Sequence, residues 1–156
     1  MAKKLMRRRA ADNVYLHKDF HGALSAGIEY LHTRYGENAV REYLRRFTDQ
    51  FYAPLKADLN VRGLVALKEH FERVYGMEAG EALINLTENE LVIRVTACPA
   101  VTHMQSRGYP VARLFCETTR TVNDALCEGT AYSAELVECD GHAGRCVQRF
   151  YRRPDP

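Results

Sequence analysis

The stretch GEALINLTENELVIRVTACP, residues 80–99, decides how the chain folds. Ala82, Ile84 and Leu86 alternate with other side chains, Thr87 to Glu90 supply turn residues, and Leu91 to Ala97 alternate again. A period of two on both sides of a short polar turn predicts a β-hairpin. Everything before it has a different period. Val14 to Tyr35 carries Phe20, Leu24, Ile28 and Leu31 at helical spacing, with Gly36 as a stop. Glu37 to Tyr52 repeats the pattern through Val40, Tyr43, Leu44, Phe47 and Phe51, and Pro54 restarts a short helix that runs to about Asn60. Residues 60–63 read as a loop. Leu64 to Tyr75 is helical again through Leu64, Leu67, Phe71 and Val74, with Gly76 closing it.

On the other side of the hairpin, residues 99–107 read as one short helix and Gly108-Tyr109-Pro110 as a break. A helix is expected over 111–128, with Leu114, Phe115, Thr118, Val122 and Ala125 as its buried stripe and Gly129 at its end. Tyr132 to Cys139 and Arg145 to Arg152 form a second hairpin around Asp140-Gly141-His142-Ala143-Gly144. The expected fold is α+β: N-terminal helices followed by hairpin–helix–hairpin, with a four-stranded antiparallel sheet. Residues 1–13 read as a basic flexible tail and 14–156 as a single α+β domain.

The chain has 156 residues, 46% hydrophobic and 27% charged, enough to bury a core without a disulfide or metal. No apolar run approaches the ~20 residues of a membrane span, and no apolar stretch follows the basic start as in a secretory signal. The net charge of +2 conceals an asymmetry. Lys3, Lys4, Arg7, Arg8 and Arg9 lie in the tail, so removing those five from 22 Lys and Arg leaves 17 against 20 Asp and Glu. A nucleic-acid-binding domain carries its positive charge on a folded face, so nucleic acid is not an expected partner. A membrane is not expected either. The aromatic-rich helices, with Tyr30, Tyr35, Tyr43, Phe47, Phe51 and Tyr52, suggest a homodimer.

Five cysteines, at 98, 116, 127, 139 and 146, all fall in the last 60 residues. An odd count with no export signal predicts reduced thiols and a cytoplasmic protein. Cys98 ends a strand, is pinned by Pro99 and precedes a helix, where dipoles favour thiolate; it reads as a nucleophile, a metal ligand or a buried small hydrophobe. Alternation places it on the sheet face of Val92, Arg94 and Thr96. Cys116, Thr119, Asn123 and Cys127 recur at helical intervals, flanked by Glu117 and Arg120, as a reactive stripe or a solvated face. Cys146 shares its strand with Gln148 and Phe150 and lies across the turn from Cys139; a disulfide between those two is disfavoured in a reducing compartment. His142 at the turn tip is expected to be exposed. His17 and His21 share a helix face at i and i+4 and could grip a metal. There is no Walker loop, no GxGxxG, no GxSxG and no HExxH, so no nucleotide cofactor is expected.

Several of these residues together resemble a known family. The run Val95-Thr96-Ala97-Cys98-Pro99, a Gly-containing break, a helix carrying Phe115-Cys116, Gly129 before a strand, and a closing Cys146-Val147-Gln148-Arg149-Phe150 are similar to the L-2-amino-thiazoline-4-carboxylic acid hydrolase family. That family is related to vinyl-reductase-type small-molecule-binding domains. The resemblance spans roughly residues 15–152, including the segment YGENAVREYL. It implies a small-molecule hydrolase-like protein acting on a cyclic amidine or thiazoline-type C–N or C–S bond. The alternative is a non-catalytic small-ligand or metal-binding domain built around the same pocket.

The family's cysteine pattern falls on Cys98, Cys116 and Cys146. Many relatives have an aspartate soon after the middle cysteine, whereas this chain has Glu117-Thr118-Thr119-Arg120. The three cysteines are expected either to hold zinc or another divalent ion, or to supply one thiolate nucleophile. Asn123 is expected to orient or polarise the substrate, Arg94 to meet a carboxylate, and His103 to be a further partner. A helix packed over both hairpins would bring the three cysteines together. Cys127, about 16 Å along its helix from Cys116, and Cys139, beside a wet turn, are expected to be bland.

Overall fold

The computed structural model describes residues 18–154. Helices α1 (Asp19–Tyr35), α2 (Glu37–Phe51), α3 (Ala53–Arg62) and α4 (Leu64–Glu78) precede strands β1 (Glu81–Leu86) and β2 (Glu90–Ala97). Then come α5 (Pro99–Ser106), α6 (Glu117–Cys127), β3 (Tyr132–Asp140) and β4 (Arg145–Arg152). The strands form one antiparallel sheet in the order β1-β2-β4-β3. This is the α+β architecture the periodicity predicts. No described helix is long and apolar enough to cross a membrane.

Both hairpins begin and end within a residue or two of where alternation puts them. Three helix boundaries differ, and two of them matter for the cavity described below. Residues 60–62 continue α3 rather than forming a loop. Helix α4 runs through Gly76 to Glu78, because Ala79 takes the left-handed capping conformation (φ 55°) and Gly80 N–H bonds Tyr75 O at 2.9 Å. That extra turn is what places Glu78 inside. The helix expected over 111–128 begins only at Glu117, the residues before it forming turns closed by Phe115 N–H to Ala112 O and Glu117 N–H to Leu114 O. Cys116 is therefore a helix N-cap, not a mid-helix residue.

Two apolar clusters make the interior. Leu59, Leu67, Leu91, Ile93, Leu126 and Phe150 belong to the one between sheet and helices, all essentially inaccessible to water. Ile28, Val40, Leu44, Met104 and Phe115 belong to the other, among α1, α2, α5 and the segment before α6. Each fully buried side chain of this size contributes roughly 1.5–3 kcal/mol. The exposed ion pairs, such as Arg46–Glu42 at 2.7 Å, contribute about 0–1 kcal/mol each. Burial holds the fold. Cys98 packs against both clusters at their junction.

Register has one irregularity with large consequences. In β3 the pairing passes from Leu136↔Gln148 to Glu138↔Val147 and Cys139↔Cys146, leaving Val137 as an extra, bulged residue. Ala134 packs on the inner cluster and Leu136 pairs with the buried Gln148, so strict alternation would turn Cys139 outward. The bulge inverts the phase and turns Cys139 inward beside Cys146.

Candidate functional site

A cavity of about 400 Å³ opens between the two clusters. Its walls are aromatic: Phe20 from α1, Tyr43, Phe47 and Phe51 from α2, and Phe71 and Tyr75 from α4. Its chemistry-bearing groups come from distant parts of the chain: His21, Glu78, Cys98, Cys116, Cys139, Asp140, Arg145 and Cys146. A second depression, about 480 Å³ and lined by Pro54, Leu55, Asp58, Glu69, His70 and Arg73, contains no thiol. There burial holds His70 well below the ordinary imidazole value, at about 4, with the Arg73 charge adding to the effect. A size of several hundred cubic ångströms and largely apolar walls suit a small organic ligand.

Cys98 sits at the N-cap of α5, and its backbone N–H donates to Gly144 O at 2.8 Å. Having left the strand, its side chain turns into the cavity and not onto the face of Val92, Arg94 and Thr96. Burial pushes the Cys98 thiol up; the backbone N–H groups of Val101 and Ala100 pull it partly back, and the Glu78 carboxylate raises it again. Cys146 is likewise raised by burial, with Gln148 Nε2 donating to its sulfur at 3.4 Å and the nearby Cys98 adding charge repulsion. At both positions burial favours the thiol over the thiolate.

Cys116 departs furthest from expectation. Its sulfur is bonded to that of Cys139 in a disulfide, which corrects the reading of five reduced thiols and of a bland Cys139. The physical cause is the Val137 bulge together with a turn that is not merely wet. Gly144 (φ +64°) lies so close to α5 that a Cβ there would stand 3.2 Å from Val101 Cβ, and Gln105 Nε2 donates to His142 O at 2.7 Å. The turn is pinned against the helix. His142 itself is exposed, as expected.

Cys98, Cys116 and Cys146 thus all line one cavity, but as two free thiols and half of a disulfide. That donor set does not fit zinc, because the Cys116 sulfur is already bonded to another sulfur. Among the described residues no group of three or more His, Cys, Asp or Glu side chains converges as a metal centre requires. Cys127 is buried in the sheet-side cluster with its thiol pushed up to about 12 by burial. Of the histidine pair, His17 lies outside the described residues. His21 Nε2 instead meets Glu78 Oε2 at 2.7 Å.

The remaining expected site residues stand off the cavity. Arg94 is exposed on the outer face of the sheet. His103 Nε2 meets Asp19 Oδ1 at 2.9 Å, and this contact lowers the Asp19 carboxyl pKa. Asn123 is buried one layer below: its Nδ2 donates to Gln148 Oε1 at 2.9 Å, and Gln148 Nε2 donates to Tyr75 OH at 3.1 Å. Asn123 therefore orients Gln148, which in turn addresses Tyr75 and Cys146. Glu117 is buried too, but accepts from Thr121 Oγ1 at 2.5 Å and stands 3.5 Å from both Arg41 and Arg120. It does not replace the family's aspartate at the cavity.

Sequence reasoning missed Glu78, Tyr75, Gln148 and Arg145. The His21–Glu78 contact joins residues 57 apart, with no local spacing to announce it. Comparison of the chain with known proteins finds no matching family model, no matching curated protein and no matching solved structure. The class that can be stated is an α+β protein with a thiol-lined, aromatic-walled cavity.

Proposed function

We propose that the chain is a small-molecule hydrolase-like protein that opens a cyclic amidine or thiazoline-type C–N or C–S bond in this cavity. One observation carries the reading: two free thiols and a His21–Glu78 pair at 2.7 Å face the same aromatic-walled space. The resemblance around Cys98, Cys116 and Cys146 points to the same substrate class. Cys98 is the nucleophile of choice, because the start of α5 directs backbone N–H groups towards its sulfur. Its proton passes to His21, which Glu78 orients, while the sulfur bonds to the amidine carbon. The ring heteroatom leaves carrying a proton, and water then releases the product and restores the thiol. Arg145, which lines the cavity, takes the carboxylate-binding role that the sequence suggested for Arg94.

The second reading, a non-catalytic small-ligand-binding domain, is favoured by the raised thiol pKa values of Cys98 and Cys146. A panel of 2-aminothiazoline and cyclic amidine compounds separates the two. The hydrolase reading expects ring opening, monitored by release of a new thiol or amine. It also expects a loss of about a thousandfold or more in Cys98→Ser with ligand binding retained. Binding without ring opening leaves the ligand-binding domain; neither binding nor turnover defeats both.

A further inference from the structure

Four of the five cysteines line one cavity, and they are not equivalent. Cys116 and Cys139 are joined, Cys98 and Cys146 are free, and Cys146 is the cross-strand partner of Cys139. Directly opposed residues of an antiparallel pair project to the same face with Cβ atoms about 4.5–5.5 Å apart. A free thiol is thus held beside a disulfide sulfur by the sheet itself. This arrangement depends on the Val137 bulge, without which Cys139 would face outward.

We propose that the cavity is an internal thiol–disulfide exchange site, in which Cys146 attacks the Cys139 sulfur and frees Cys116. The electron balance is closed within the protein. The Cys146 sulfur, having lost its proton, bonds to Cys139 Sγ as the Cys116–Cys139 bond breaks. Cys116 leaves as thiolate and takes up the proton that Cys146 gave. No external oxidant or reductant is required, because one disulfide is exchanged for another.

Three further features fit the step. Gln148 Nε2 donates to Cys146 Sγ at 3.4 Å, which supports charge on the attacking sulfur. Gln148 is itself held by Asn123 at 2.9 Å, so the donor's orientation is fixed from α6. The leaving sulfur, Cys116, sits at the N-cap of the 11-residue helix α6, where the helix dipole stabilises a departing thiolate. The consequence is a change of wall. With the bond on Cys139 and Cys116, α6 is stapled to the β3–β4 turn; with the bond on Cys139 and Cys146, that staple is gone and a reactive thiol faces the cavity.

The test is disulfide mapping of the intact, folded chain. Protein is held at pH 8 without reductant, quenched with N-ethylmaleimide at intervals, and cleaved at Arg and Glu, which separates all five cysteines. The proposal expects a Cys139–Cys146 cross-link to appear alongside Cys116–Cys139, with alkylated Cys116 rising in step. Cys146→Ser should show only Cys116–Cys139, Cys98→Ser should exchange as wild type does, and oxidised Cys116→Ser should accumulate Cys139–Cys146. A wild-type time course in which Cys116–Cys139 is the sole cross-link throughout overturns the proposal, and needs no variant to fold. Oxidised, folded Cys116→Ser with both Cys139 and Cys146 still free overturns it as well. Either outcome leaves the hydrolase reading, which depends on Cys98, to stand or fall by its own assay.

Discussion

The two hairpin turns have similar signatures in the sequence and opposite relations to the rest of the molecule. The β1–β2 turn closes on itself: Thr87 N–H bonds Glu90 O at 2.8 Å, and the Thr87 hydroxyl bonds both the N–H and the O of Glu90 at 3.2 Å. The β3–β4 turn begins equally locally, with Asp140 Oδ1 accepting from the N–H groups of His142 and Ala143. It then engages α5 through Cys98 N–H to Gly144 O and through Gln105 to His142 O. A disulfide at its base joins it to the start of α6. The first turn ends a hairpin; the second is a wall of the cavity. Turn chemistry specifies where a chain reverses, but what the reversal touches decides whether it carries function.

The largest break in this contrast should come from the disulfide. Reduction, or Cys139→Ser, removes a cross-link between residues 23 apart, which on a chain-entropy account costs about 3 kcal/mol. Urea unfolding of oxidised and reduced protein measures it, and an unchanged midpoint would show that the turn is held by its hydrogen bonds alone. Iodoacetamide labelling gives a companion reading. Burial raises the Cys98 and Cys146 thiols, so in the intact protein their labelling should climb only above the ordinary thiol range of about 8.5. Cys127, at about 12, should stay unlabelled throughout. Opening the second turn should speed Cys98 and leave Cys127 untouched.

Gly144→Ala should have the next largest effect. Its φ of +64° disfavours any side chain, and the new Cβ would meet Val101 Cβ and Cγ1 at 3.2 and 3.3 Å. Left-handed strain and crowding together should cost about 2 kcal/mol in chemical denaturation. The cavity should loosen too, because the substitution acts on the same contact that orients Cys98. Stability lost without faster Cys98 labelling would mean that the turn supports the fold but not the thiol.

Most of the fold was legible because it is written in local periods. Alternation placed both hairpins, and the stripe through Val40 and Leu44 placed α2. What failed was whatever depended on a neighbour far along the chain. Gly76 reads as a stop, yet Ala79 accepts the left-handed cap and α4 gains the turn that carries Glu78 to His21. The bulge falls where Leu136 and Val137 stand side by side and shift the alternation by one, and only with the turn pinned against α5 does it bring Cys139 to Cys116. The position of Cys98 at the head of α5 was readable from Pro99 and the end of alternation. Its surroundings were not, because His21, Glu78 and Cys146 line the same cavity from three separate elements.

Thr87→Ala sharpens the comparison from the other side and should have the smallest effect. The hydroxyl makes two hydrogen bonds of 3.2 Å, both to the backbone of Glu90, in an exposed turn where water can replace it. The backbone bond from Thr87 N–H to Glu90 O at 2.8 Å survives the substitution. Exchanging protein–water for protein–protein bonds at such a site nets about 0.5–1 kcal/mol. Central strand β2 is also paired to β4 from Glu90↔Tyr151 to Val95↔Cys146, so register does not depend on the turn. Thr87→Ala should therefore shift the unfolding midpoint slightly and leave the labelling rates of Cys98 and Cys146 at their wild-type values. If those rates rose as far as in Gly144→Ala, the first hairpin would be coupled to the cavity through β2, and the division of labour between the two turns would fail.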